Sequence, residues 1–108
     1  MLNNIAFNSD LIENGVWVQL QQSWFLIASV EKNQFKSAIF DHGRKEFTDD
    51  EFCAVLAKHI LLGWRDVKLP DGSDLLYSYE MAKIALLTNE DVRMLIDHVS
   101  TNLKYFSE

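Results

Sequence analysis

Residues 48–64, TDDEFCAVLAKHILLGW, limit the folds open to this chain more than any other stretch. Thr48-Asp49-Asp50-Glu51 has the form of a capping box, in which the Thr48 hydroxyl accepts from the Glu51 amide while the Glu51 carboxylate reaches back to the Thr48 amide. Three carboxylates in that first turn also suit the positive end of the helix dipole. Phe47 before the cap and Phe52 at the fourth helical position have the spacing of a hydrophobic staple. From Phe52 to Trp64 the run is apolar nearly all round, broken only by Lys58 and His59. This pattern predicts one central helix ending at Trp64 and covered on most sides by its neighbours.

What covers it is written on either side. Upstream, Asn14-Gly15 marks a turn, and Val16-Trp17-Val18-Gln19-Leu20 alternates β-branched and aromatic residues with one polar position. After Gln21-Gln22-Ser23, Trp24-Phe25-Leu26-Ile27-Ala28-Ser29-Val30 continues the same chemistry, so the two runs predict an antiparallel hairpin. Val16, Val18 and Leu20 share one face of it, and Trp17, on the other, is the tryptophan expected to be exposed. A short helix carrying Phe35, Ala38 and Ile39 follows, with Asn33 as its expected N-cap and His42-Gly43-Arg44-Lys45 closing it.

Downstream, Ser78 caps a helix over residues 79–87, and Thr88-Asn89-Glu90-Asp91 resembles a weaker capping box for the last helix. There Val92, Leu95, Ile96, Val99, Leu103 and Phe106 form a single amphipathic stripe. Residues 1–13, polar and rich in Asn, read as a loose N-terminal arm or short edge element. The expected fold is α+β: an N-terminal antiparallel β-hairpin packed on a mainly helical single domain, residues 1–108, of about four helices.

Chemistry finds little foothold. Sixteen acidic against ten basic residues leave a net charge of −6, with no Lys/Arg cluster to meet phosphate, so nucleic acid and anionic membrane are not expected partners. The single cysteine, Cys53, cannot close an internal disulfide and reads as a buried thiol, which fits a reducing cytoplasm. The start of the chain lacks a signal-peptide pattern, and no apolar run approaches the ~20 residues that cross a bilayer. His42, His59 and His98 stand apart, and Cys53 and His59 point to different sides of a helix. Asp71-Gly72-Ser73-Asp74 lacks the alternating ligands and closing Glu of a calcium loop and reads as a β-turn after Pro70. No enzyme, metal site or cofactor is expected.

Aromatics carry more information. The hinge at residues 63–79, GWRDVKLPDGSDLLYSY, has Trp64 at one end and Tyr77 and Tyr79 at the other, and such side chains are enriched at interfaces. Gly63-Trp64 at a helix end, the Asp71-Gly72 turn and Tyr77-Ser78 opening the next helix resemble, in order and spacing, the tail assembly chaperones of long-tailed bacteriophages. Asn14-Gly15-Val16-Trp17-Val18 and Asn33-Gln34-Phe35 resemble the N-terminal half of that family, so the likeness spans most of residues 14–106. The resemblance implies a non-enzymatic, phage- or prophage-encoded protein of the host cytoplasm. Such chaperones bind the long helical tape measure protein, help tail tube subunits assemble around it, are often also made as a frameshifted longer form, and in some cases self-associate. The family has no fixed binding motif, and side-chain chemistry alone suggests Trp17, Trp64, Leu75, Leu76 and Tyr79 as partner-binding residues. The competing expectations are a structural tail or head-tail completion protein retained in the virion, and a small acidic module that binds a host protein.

Overall fold

In the computed structural model, which describes residues 7–43 and 45–107, ordered structure begins earlier than a loose arm would allow. Asn8 caps α1 (Ser9–Asn14), its side chain accepting from the Asp10 and Leu11 amides. Phe7 bridges Ser107, the Asn8 amide donates to the Phe106 carbonyl at 2.8 Å, and Leu11 and Ile12 pack against the core. The expected arm is therefore corrected from residue 7 onward; residues 1–6 lie outside the described residues. Gly15 then turns the chain at φ 92°, and a Cβ there would sit 3.1 Å from the Leu26 side chain and 3.2 Å from the Ile27 backbone. Conformation and space both require glycine at this corner.

The hairpin forms as the alternation predicts. β1 (Val16–Leu20) pairs antiparallel with β2 (Ser23–Ile27), Val18 opposite Phe25, and a two-residue turn joins them with Gln21 at positive φ. Val16, Val18 and Leu20 are half-buried on the core face, while Trp17 and Gln19 face out. Beyond β2, α2 (Asn33–His42) starts one residue earlier than expected, with Lys32 and not Asn33 at the N-cap position, and Gly43 closes it at φ 78°. Arg44, part of the expected closing turn, lies outside the described residues.

α3 (Asp49–His59) begins with both bonds of the capping box, at 3.1 Å each, and with the Phe47–Phe52 staple. Its end departs from expectation. The helix stops at His59, Ile60 turns the chain, and Leu61–Arg65 becomes a third strand, β3, antiparallel to β2, in the order β1-β2-β3. A short apolar run such as Ile60-Leu61-Leu62 serves a buried helix or a buried strand equally well, so periodicity could not separate them. Tertiary structure decides: β2, apolar on both faces, takes Leu61–Arg65 as a partner, and the buried Lys32 extends its Nζ to donate to the His59 carbonyl at 3.1 Å, satisfying the helix end.

α4 (Tyr79–Thr88) is capped by Ser78, whose hydroxyl accepts from Met81. α5 (Glu90–Ser100) is capped by Asn89; Thr88, the expected cap, is instead the last residue of α4 and donates to the Ile84 carbonyl. The single stripe expected to reach Phe106 breaks at Thr101, and a 3-10 helix capped by Asn102, Leu103–Phe106, brings Phe106 to full burial. The architecture is α+β, a three-stranded antiparallel sheet against five α-helices among the described residues. Ile27, Cys53, Ile60, Leu61, Leu86 and Ile96 are fully or almost fully buried where sheet and helices meet.

Candidate functional site

The hinge at residues 63–79 is built inward first. Trp64, on the core side of β3, is only 8% exposed, and its ring meets Phe25 and Tyr77 edge-on at 6.3 and 5.1 Å. Its indole Nε1 donates to the Leu75 carbonyl at 2.7 Å, and the Tyr77 hydroxyl donates to the Leu61 carbonyl at 2.7 Å. These reciprocal bonds clamp the segment before α4 onto β3, since each ring anchors backbone from the other strand of the hinge. Burial also pushes the Tyr77 phenol above its usual pKa. Between the clamps the chain forms a small ladder: the Leu75 amide donates to Val67, the Leu69 amide to Ser73, and the Gly72 amide to Leu69. Lys68 and Asp74 form an ion pair across it, and Gly72 takes the positive φ that the turn needs.

Asp71 is consumed within this turn. Its carboxylate accepts from the Ser73 amide and hydroxyl at 2.9 and 2.6 Å, and these bonds hold its pKa below the usual carboxylate range. Among the described residues no group of three His, Cys, Asp or Glu side chains could hold a metal ion. His42 stacks on Phe47 at 3.7 Å, and His98 meets Tyr105 edge-on. Burial, helped by Lys58 and Lys32, pulls the His59 pKa down, while burial pushes the Cys53 thiol up, the opposite of an activated thiolate.

With the anchors turned in, other hinge side chains are left outside. Leu76, between the Leu75 carbonyl and the Tyr77 ring, is 79% exposed, and Tyr79 at the start of α4 is 43% exposed. Tyr77 and Tyr79 line a shallow depression with Ala57 and Lys58 of α3. Leu75 is half-buried against the core. Of the five residues suggested by side-chain chemistry, the hinge thus brings together Trp64, Leu75, Leu76 and Tyr79, with Trp64 buried as their support. Trp17 lies elsewhere, on the outer face of the sheet in one row with Leu26 and Gly63. Its Cη2 comes within 3.9 Å of where a Gly63 side chain would begin, so the indole lies over the Gly63 backbone at ordinary contact distance. Arg65 stacks over the ring at 4.1 Å from its centroid. Sequence reading missed Arg65 at this site, because its position beside Trp17 depends on β3 being a strand.

One family model, described as YdaY prophage protein, matches residues 24–108. The chain belongs to that family and is a phage or prophage protein. No curated protein and no solved structure matches it.

Proposed function

We propose that this member of the YdaY prophage protein family is a non-enzymatic tail assembly chaperone that binds the tape measure protein in the host cytoplasm and helps the tail tube form around it. The observation that carries the reading is the two-sided hinge. Trp64 and Tyr77 clamp it rigidly, and Leu76 and Tyr79 are thereby presented to solvent as an apolar edge. An exposed leucine and tyrosine on a braced scaffold suit capture of apolar stripes on a long helix, because the backbone that carries them is already held in place. Prophage origin and the likeness of Gly63-Trp64, Asp71-Gly72 and Tyr77-Ser78 to tail assembly chaperones support the same reading.

Deleting the gene from an inducible prophage tests it. The expected result is insoluble tape measure protein and tailless particles, with the protein itself absent from purified wild-type virions by mass spectrometry. Normal tails without the gene would sink the proposal. Stoichiometric recovery from finished particles would instead favour a structural tail or head-tail completion protein.

A further inference from the structure

A second surface, away from the hinge, is an open cleft of about 640 Å³ bounded by α3, α4 and α5. Glu90, Arg93, Met94, Asp97, Ser100 and Thr101 line it at successive i, i+3 and i+4 positions, so one stripe of α5 forms a wall from end to end. Eleven residues of helix make that wall about 16 Å long. Such a trough matches about three turns of a docked helix better than it matches a compact small molecule. Its apolar surface comes from Phe52 on α3, Leu87 on α4, Val30, and Met94, which stands 63% exposed. A methionine there is polarizable and adaptable against a partner's side chains.

Charge identifies the occupant. Glu90 and Asp97 are exposed along the wall, and the one cation among the described residues of the lining, Arg93, is already paired with Asp49 at 3.4 Å. Two lining carboxylates, beside a guanidinium already paired with Asp49, leave an acidic rim around apolar side chains. We propose that this cleft is a docking groove for a basic amphipathic helical segment of a partner protein, with leucine- or methionine-like side chains on Met94 and Phe52 and lysine or arginine on Glu90 and Asp97. The groove shares no residue with the hinge, so the proposal stands or falls apart from the tape measure reading.

The test titrates the full-length, 15N-labelled protein with a synthetic lysine-leucine amphipathic peptide of about three helical turns, and with its counterpart carrying glutamate for every lysine. The basic peptide is expected to shift amide resonances along α5 and at Leu87, and its binding to weaken as salt is raised. Met94→Glu and, separately, Asp97→Lys should each weaken it by about tenfold or more. Both side chains are exposed, and a lysine at 97 suits the C-terminal half of α5, so both variants should keep the wild-type fold in the same spectra. Equal binding of the two peptides, unchanged binding by either variant, or shifts centred on Leu76 or Trp17 would overturn the proposal.

Discussion

The hinge and the cleft are both lined by apolar side chains, yet one is closed by its own sequence and the other is open. In the hinge, Trp64 and Tyr77 each find a backbone carbonyl within 2.7 Å and a ring to meet edge-on, so their polar and apolar parts are both satisfied inside the chain. In the cleft, Met94 stays 63% exposed and Phe52, half-buried beside Phe47, still lines the open side, and the carboxylates of the lining outnumber its cation. In the hinge the buried aromatic pair braces the chain, whereas Leu76 and Tyr79 outside it, like Met94 in the cleft, keep exposed surface for contact.

Substitutions can break that contrast. Trp64→Ala removes a buried ring and the donor to Leu75, and should cost about 3–5 kcal/mol in a denaturant titration, much of the stability of a domain this size. Loss of only a few tenths would mean that the hinge is not braced from within. Tyr77→Phe keeps the ring and deletes one hydrogen bond, so about 1 kcal/mol is expected in the same assay. Thr48→Ala should cost about 1 kcal/mol as well, through the local cap at the start of α3 and outside the hinge.

Acid should act on the helix ends. His59 has a folded-state pKa below 6.5, so the unfolded chain takes up a proton first as the pH falls, and stability declines from about pH 6.5 downward. Glu51, lowered by its bonds to Thr48, adds a second decline as the pH falls through its unfolded value near 4.5. His59→Gln should flatten the first decline and leave the second, as followed by thermal melts across pH. Smallest of all, Leu76→Asp should change stability by no more than about 0.5 kcal/mol, since its side chain is almost wholly in water.

How far the sequence could be read depended on whether an element is closed locally. The start of α3 was legible because Thr48, Glu51, Phe47 and Phe52 complete the cap within a few residues of one another. Its end was not, because Lys32, from a distant part of the chain, holds the His59 carbonyl, and β2 claims Leu61–Arg65. The same cause hid Arg65 above Trp17 and the inward turn of Trp64, both of which require β3. Exposure of Trp17 was more accessible, since strand alternation alone puts it opposite Val16 and Val18. The cleft could not be seen, since Met94 looks like any residue outside the stripe of α5 until α3 and α4 stand beside it.

The hinge is braced on the inside by Trp64 and Tyr77, and the proposed function gives Leu76 and Tyr79 the contact on the outside. Co-expression of the phage's own tape measure protein with the wild type and with the double variant Leu76→Asp, Tyr79→Ser tests it most directly. A soluble complex is expected with the wild type, and the double variant should melt like the wild type yet leave the tape measure protein in the pellet. A correctly folded double variant that captures the tape measure protein as well as the wild type would contradict it.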